Sequence, residues 1–221
     1  MNPVVVYQKL AEHILPYLYG RPVMVVGADG GHRMWARQQG DGLLRESEQT
    51  GVPLQVWSLQ EFLDLLTVET PAELHVRARG FWEHSRSLIV YDLDTAPHSG
   101  IQTSFRWGKR FREYLRQRPE VSSSRMLFTG NRGFHIRVCL NRRYEPEPYQ
   151  QLLTTLLKDF GEPFLGDVDT KPSLPQHFVR CPHSFNIKGQ RFSYFVDNCD
   201  DFDTAAADEM NARILRYCGL L

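Results

Sequence analysis

The sequence has few cysteines, no long apolar run and no excess of charge of either sign. The absence of a CxxC pair argues against a structural zinc knuckle and a disulfide framework, so a reducing cytoplasm is the expected compartment. No segment approaches the roughly 20 apolar residues that a membrane-spanning helix needs. The N-terminal segment lacks the charged-then-apolar layout of a secretory signal. The four cysteines are Cys139, Cys181, Cys199 and Cys218.

The formal net charge is zero, with 26 Lys and Arg against 26 Asp and Glu, so the total charge indicates no polyanionic partner. The distribution along the chain is less even, because residues 101–150 contain eleven Lys and Arg but only four Glu. Such a local excess is typical of a phosphate-facing surface. A solvated face of an ordinary helix explains it equally well.

Helical and strand patterns alternate along the 221 residues and predict an α+β domain with a substantial core. Asn2 followed by Pro3 is typical of a helix start, and helical apolar spacing continues to near Gly20. Ser58 and Glu61 form a capping box at the start of another helix. The segment "VPLQVW" alternates like a half-buried strand, "TSFRWGKRFREYLRQR" reads as a helix, and "RMLFTGNRGFHIRVCL" reads as strand, turn and strand.

Two carboxylates end an apolar strand in "SLIVYDLD". Residues i and i+2 of a strand project to the same face, so Asp92 and Asp94 would stand about 6–7 Å apart. Ionised carboxylates at this spacing repel, and burial increases the repulsion unless a cation lies between them. Mg²⁺ and Mn²⁺ are the hard cations that oxygen ligands prefer. The alternative is that both residues end the strand in solvent.

Three further segments carry polar groups after apolar strands. In "TGNRGFH", Thr129, Arg132 and two glycines suit an anion-binding loop beside His135, or a simple hairpin turn. In "GDVDTKP", one acid of the i, i+2 pair could complete a metal site, or the segment is an acidic loop. In "RCPHSFNIKGQR", cations and hydrogen-bonding side chains suit a ligand with phosphates and a sugar, or form a basic loop. The remaining histidines show no ligand spacing and are expected to be structural or on the surface.

The order of these four segments resembles the archaeo-eukaryotic primase superfamily. "TGNRGFHIRV" and "VRCPHSFNIKGQR" look like the catalytic small subunit of replicative primases, whereas "GRPVMVVGADGGHRMWARQ" and "SLIVYDLD" look like the polymerase domain of bacterial DNA-repair ligases. The combined resemblance covers roughly residues 5–197, and four ordered motifs make it far more specific than a lone DxD. Asn186 stands where replicative primases usually have His, and the cysteine-rich zinc module of those primases is absent.

The resemblance implies a role for each matching residue. The expected metal ligands, which are also catalytic together with His135, are Asp92, Asp94 and Asp169, with Asp167 as the alternative third acid. The expected nucleotide-binding residues are Thr129, Arg132, His135, Arg180, Ser184, Asn186 and Lys188. The expected nucleic-acid-binding residues are Trp35, Arg106, Lys109, Arg112 and Arg116.

The resemblance also implies the architecture and the activity. We expect a primase-like catalytic core of mixed or antiparallel sheets flanked by helices, with an N-terminal αβ unit at about 1–86, an RRM-like core at about 87–200 and a C-terminal helix at about 201–221. The expected activity is template-dependent nucleotidyl transfer from NTPs or dNTPs by a DNA primase or polymerase. The expected cofactors are two Mg²⁺ or Mn²⁺ ions, with no zinc. The expected partner is single-stranded or primed DNA. The expected location is cytoplasmic, and nucleoid-associated in a prokaryote. The alternatives are an end-joining or gap-filling repair polymerase, a catalytically silent single-strand DNA-binding subunit, and a metal-dependent phosphohydrolase.

Overall fold

The computed structural model describes residues 2–27, 30–37, 44–46, 55–68, 71–77, 86–95, 100–164, 166–174 and 177–221. The side chains of 32–37, 44–46, 68 and 86 lie outside this description. The helices are α1 (Pro3–Lys9), α2 (Ala11–Leu18), α3 (Leu59–Val68), α4 (Gly100–Arg116), α5 (Pro146–Phe160) and α6 (Thr204–Tyr217), with a short 3₁₀ helix at Lys171–Ser173. No helix in the described ranges is both long and apolar enough to cross a membrane.

The strands form two five-stranded sheets and a small hairpin within the described residues. The first sheet has the order β3-β2-β1-β4-β9, the second has the order β12-β6-β7-β5-β8, and β10 pairs with β11. Neighbouring strands are antiparallel throughout, so the expected α+β class with antiparallel sheets is confirmed. The strands are β1 (Val23–Val26), β2 (His32–Arg37), β3 (Leu44–Glu46), β4 (Glu73–Arg77), β5 (Arg86–Thr95), β6 (Val121–Phe128), β7 (Phe134–Tyr144), β8 (Gly166–Asp169), β9 (Phe178–Arg180), β10 (Phe185–Asn186), β11 (Arg191–Phe192) and β12 (Tyr194–Phe195).

Late segments of the chain return to both sheets. β9 pairs with β4 of the first sheet, and β12 pairs with β6 of the second. The segment that follows β8 therefore lies against strands from both parts of the sequence. The predicted division of the chain near residue 87 stays a prediction.

Local sequence chemistry explains several helix starts. The Oδ1 atom of Asn2 accepts a hydrogen bond from the N–H of Val4 at 3.0 Å, which is the predicted N-cap of α1. The Oγ atom of Ser58 accepts from the N–H of Glu61 at 3.1 Å at the start of α3, as the capping box predicts. The predicted first helix is divided, however, because α1 ends at Lys9 and α2 begins at Ala11.

Alternation along β5 separates its apolar residues from its carboxylates. Ile89, Tyr91 and Leu93 are fully buried in a core with side chains of α4 and α5. Asp92 and Asp94 alternate with these residues, so they project from the opposite face of the second sheet. This alternation lets one strand contribute to a dense core and present acidic groups on its other side.

Candidate active site

The acidic pair lies at the end of β5, the strand between β7 and β8. In the strand register Asp92 is opposite His135 of β7 and also opposite Asp169 of β8. Asp94 is opposite Asp167 of β8. Directly opposed residues of neighbouring strands share a face of the sheet, as do alternate residues of one strand. The four aspartates and the histidine therefore lie on one face, at one end of three adjacent strands.

The carboxyl group of Asp92 has a strongly perturbed pKa. Burial raises the pKa of Asp92, the charges of Asp94 and Asp169 raise it further, and Arg180 lowers it, with a resulting pKa of about 7. A pKa in this range means that the protein alone does not balance the negative charge of the carboxylates. A cation bound between them would remove this repulsion.

His135 is a buried neutral imidazole beside the acidic pair. Its side chain is 6% exposed, and its Nε2 lies 3.4 Å from Oδ1 of Asp92. Burial lowers the pKa of His135 well below its ordinary value, and the cationic Arg137 and Arg180 lower it further. The imidazole therefore offers one N–H donor and one acceptor, and it brings no positive charge to the aspartates.

The segment after β8 is fastened to β5 by hydrogen bonds. Oδ1 of Asp169 accepts from the N–H of Lys171 at 2.9 Å, at the start of the 3₁₀ helix. The hydroxyl of Ser173 accepts from the N–H of Val90 and donates to the carbonyl of Val90, both at 2.8 Å. This pairing continues the β8 contact along β5 and keeps Asp169 beside Asp92.

Residues 129–133 form the β6–β7 loop, which is both a hairpin turn and one wall of a cleft over the carboxylates. The N–H and the hydroxyl of Thr129 both donate to the carbonyl of Gly133 at 3.0 Å. The hydroxyl of Thr95, at the end of β5, donates to the carbonyl of Arg132. A Cβ at Gly133 would lie 2.9 Å from a main-chain oxygen of β5, so a glycine permits this close packing.

Arg180 belongs to a buried charged cluster on the first sheet. Its Nη1 lies 3.0 Å from Oε2 of Glu73 and donates to the carbonyl of Phe185 at 2.8 Å. Nε2 of His75 also lies 3.0 Å from Oε2 of Glu73. Burial raises the pKa of Glu73, but the hydrogen bond from His75, the charge of Arg180 and the N–H of Ile187 lower it to about 2. Glu73 is therefore ionised.

Glu73 and His75 were missed by the sequence reasoning, which treated His75 as structural or on the surface. His75 lines the cleft together with Arg180, and the two residues are opposite each other in the pairing of β4 with β9. The available signal was the alternation of polar residues in "ELHVR" within an otherwise apolar strand. Nothing in that short segment indicated a partner more than 100 residues away.

Three predicted residues follow Arg180, and the structure places them differently. Ser184 is fully buried, and its hydroxyl accepts from the N–H of Leu74 at 2.7 Å and donates to the carbonyl of Phe185 at 3.2 Å. This placement does not fit the predicted contact of Ser184 with a ligand. Asn186 is buried at the cleft wall, and Lys188 is exposed in the β10–β11 turn (residues 187–190), where it lines the cleft.

The cleft has a volume of about 690 Å³ and brings together residues from both sheets. Carboxylates of β5 and β8 lie in it with side chains of the β6–β7 loop, β9 and the β10–β11 turn. Of the predicted residues, Asp92, Asp94, Asp167, Thr129, Arg132, His135, Arg180, Asn186 and Lys188 line it. Asp169 lies beside Asp92 in the strand register, with its carboxylate engaged at the 3₁₀ helix.

The predicted basic surface of α4 is not on this side of the molecule. α4 packs with the apolar face of β5, behind the sheet that carries the carboxylates. Arg112 is only 4% exposed and lies 2.7 Å from Asp197, so it is a buried structural residue and not a phosphate-facing cation. The other three cations have intramolecular partners: Arg106 with Asp201 at 3.5 Å, Lys109 with Asp200 at 3.4 Å, and Arg116 with the carbonyl of Ser124 at 3.5 Å. Trp35 lies in β2, and its side chain is outside the described residues.

No family model matches the chain, and no curated protein matches its sequence. Solved structures do match. The polymerase domain of Mycobacterium tuberculosis Ligase D, in complex with DNA, has a TM-score of 0.67 and 13% identity, and the match covers 96% of this chain and 87% of that chain. The AEP domain of the cyanophage S-2L primase-polymerase has a TM-score of 0.46 and 14% identity, covering 95% and 96%. The first likeness shows that this chain shares its fold with a DNA-ligase polymerase domain.

Proposed function

We propose that this protein is a template-dependent nucleotidyltransferase, a primase-polymerase that joins NTPs or dNTPs to a 3′-hydroxyl and releases pyrophosphate. The observation that carries the proposal is the composition of one cleft, where Asp92 and Asp94 face a space that is also lined by Arg132, Arg180 and Lys188. A nucleoside triphosphate needs cations around its phosphates, and phosphoryl transfer is promoted mainly by positioning and charge neutralisation. The fold shared with a polymerase domain supports this assignment.

The acidic residues have the chemistry of a site for hard divalent cations. Within the described residues, no three His, Cys, Asp or Glu side chains already converge on one metal position. The donors are nevertheless carboxylate oxygens, and the raised pKa of Asp92, caused by burial and by Asp94 and Asp169, indicates an unbalanced negative charge that a cation would offset. We assign Mg²⁺ or Mn²⁺ binding to Asp92 and Asp94, with Asp169 or Asp167 as the third ligand. Such ions, when bound, stabilise charge on the triphosphate and favour ionisation of the attacking hydroxyl.

The other residues of the cleft bind and orient the substrate in this proposal. Arg132 and Lys188 are the exposed cations of the cleft, and we assign them to the phosphates. Arg180 is held by Glu73 and contributes a fixed positive charge. His135 is neutral, so its ring can donate or accept one hydrogen bond beside Asp92. Because it carries no positive charge, it does not neutralise the carboxylate to which a metal ion would bind. No protein nucleophile is needed, since the 3′-hydroxyl attacks directly.

We assign single-stranded or primed DNA to the cleft side of the second sheet. The basic residues of α4 lie behind that sheet and are engaged with acidic side chains and main-chain carbonyls. Backbone phosphates of a template would therefore meet the cations of the cleft and its rim. Binding should weaken as salt increases, because each phosphate contact releases counterions.

The experiment combines a bare or primed single-stranded template with labelled NTPs or dNTPs and Mg²⁺ or Mn²⁺. We expect incorporation by the wild-type protein and none by the double variant Asp92→Ala, Asp94→Ala. A matched control, Glu12→Ala with Asp64→Ala, removes two carboxylates from exposed helical positions and should stay active. Incorporation by the Asp92, Asp94 double variant would refute the assignment. Products from unprimed template indicate a primase, and products with primer alone indicate a polymerase.

Three other outcomes distinguish the competing functions. DNA binding without incorporation under any metal condition would favour a silent single-strand DNA-binding subunit. Release of phosphate in place of pyrophosphate would favour a metal-dependent phosphohydrolase. A preference for gapped or end-aligned DNA over single strands would favour a repair polymerase.

A further inference from the structure

Two buried side chains hold the β10–β11 turn that presents Lys188 to the cleft. The N–H of Ile187 donates to Oε1 of Glu73 at 2.7 Å, and the N–H of Gly189 donates to Oδ1 of Asn186 at 3.0 Å. These are the two main-chain amides on either side of Lys188. Glu73 is 7% exposed and Asn186 is 6% exposed, whereas Lys188 is exposed. The exposed side chain of Lys188 therefore extends from a main chain that is hydrogen-bonded on both sides.

The same turn is packed against the β6–β7 loop. Nδ2 of Asn186 donates to the carbonyl of Thr129 at 2.9 Å. A Cβ at Gly189 would overlap with the carbonyl of Gly130, so the two main chains cross without room for a side chain. Gly130 has a φ of +87°, and a Cβ there would lie 2.6 Å from the carbonyl oxygen of Arg191. The turn and the loop form one packed unit that carries both Arg132 and Lys188.

We propose that Glu73 and Asn186 are positioning residues that hold Lys188 and the β6–β7 loop together as a preformed anion cradle. The identity of the anion as a triphosphate rests on the proposed function. Asn186 then acts through its neighbours, since its carbonyl is engaged with Gly189 and its amide with Thr129. Glu73 acts in the same way, through the N–H of Ile187 and through Arg180. A cradle fixed before binding avoids the ordering cost that a flexible loop would add at each binding event.

Hydrogen exchange of the two amides tests the positioning directly. Loss of one hydrogen bond should raise the exchange rate of Gly189 in Asn186→Ala, and of Ile187 in Glu73→Ala, by about tenfold. Asn186→Asp keeps an oxygen acceptor for Gly189 and should retain protection there, while it loses the amide that donates to Thr129. The matched control Asn141→Ala removes an amide that donates to the carbonyl of Pro119, and it should leave both exchange rates unchanged. Equal exchange of Gly189 in the wild type and in Asn186→Ala would overturn the proposal.

Affinity for a fluorescent nucleoside triphosphate tests whether this positioning serves the ligand. Asn186→Ala and Lys188→Ala should each raise Kd about tenfold, and the double variant should also raise it about tenfold because both changes remove the same interaction. A roughly hundredfold increase in the double variant would mean that Asn186 acts independently of Lys188, which would overturn its proposed role in positioning Lys188. In turnover assays KM should rise in Asn186→Ala while kcat stays within about twofold of the wild type.

Failure of the inference can be told apart from failure of the proposed function. If the wild-type protein incorporates no nucleotide, the polymerase assignment fails. The exchange rates and the triphosphate affinities still decide about the cradle, because neither measurement requires turnover. If the wild type is active and the affinity of Asn186→Ala is unchanged, the cradle proposal alone fails.

Discussion

Replacing Glu73 with glutamine tests the buried charged cluster that supports one wall of the cleft. The side chain of Glu73 is 9% exposed and lies 3.0 Å from Arg180, whose own side chain is 13% exposed. Glu73→Gln keeps the shape and removes the charge, so Arg180 is left buried without its counter-ion. Removing one partner of such a pair should lower the free energy of unfolding by about 3 kcal/mol at neutral pH.

The pH dependence of this difference follows from the pKa of Glu73. Although burial raises it, the contacts with His75, Arg180 and Ile187 lower the folded-state pKa from the ordinary 4.5 to about 2. A depressed carboxyl pKa stabilises the folded state above the ordinary value, and this contribution is lost as the pH falls from about 4.5 towards 2. Between pH 6 and pH 3 the stability gap between wild type and Glu73→Gln should therefore shrink by about 2 kcal/mol.

Urea unfolding of both proteins at pH 6 and pH 3 measures the gap. The control Glu209→Gln removes an exposed carboxylate that pairs with Arg213 and Arg216, and it should leave the unfolding curves unchanged at both pH values. A gap of the same size at pH 6 and pH 3 would refute the reasoning, since Glu73 would then titrate alike in the folded and unfolded chains. A Glu73→Gln protein as stable as the wild type at pH 6 would refute it as well.

Three further substitutions test how the site is supported. Gly133→Ala should lower the free energy of unfolding by about 1–3 kcal/mol, because a Cβ there would lie 2.9 Å from a main-chain oxygen of β5. A Gly133→Ala protein as stable as the wild type in denaturant would contradict this close packing. Arg112→Ala should cost about 2 kcal/mol, because it removes a buried charged hydrogen bond to Asp197 and leaves the exposed Arg125 as the ion-pair partner of that carboxylate. Arg106→Ala should change little because its ion pair is exposed, and equal unfolding midpoints for the two variants would disprove the distinction. Ser184→Ala should lower the free energy of unfolding by about 1–3 kcal/mol because it leaves a buried N–H of β4 unpaired, and the nucleotide KM should stay within about twofold of wild type. A raised KM at unchanged stability would place Ser184 against the ligand.

Features that depend on local chemistry were predictable from the sequence. The N-cap at Asn2 and the Ser58 cap of α3 follow from short side chains that reach the nearest free N–H groups. The common face of Asp92 and Asp94 follows from the alternation of a strand, which requires no tertiary information. By contrast, "VPLQVW" alternates like a strand, yet among the described residues of this segment the structure has only isolated bridges at Gln55 and Val56.

Features that depend on distant partners were not predictable. Glu73 binds the N–H of Ile187, 114 positions along the chain, and Ser184 binds the N–H of Leu74, 110 positions away. Arg112 was predicted on a nucleic-acid surface because it lies in a segment rich in Lys and Arg, but its partner Asp197 lies 85 positions later in the sequence. In each case the type of side chain indicates that it forms a hydrogen bond or an ion pair, but the partner is known only once the fold is known.

We propose that the carboxylates of β5 and the cations of the cleft together bind one nucleoside triphosphate. Crystallography with Mn²⁺ and a non-hydrolysable nucleoside triphosphate tests this proposal most directly. We predict anomalous Mn²⁺ density at the carboxylates of Asp92 and Asp94, with the phosphates against the β6–β7 loop and Lys188. Mn²⁺ bound to acids outside the cleft, or a triphosphate bound away from β5 at full occupancy, would contradict the assignment of this cleft as the nucleotidyl-transfer site.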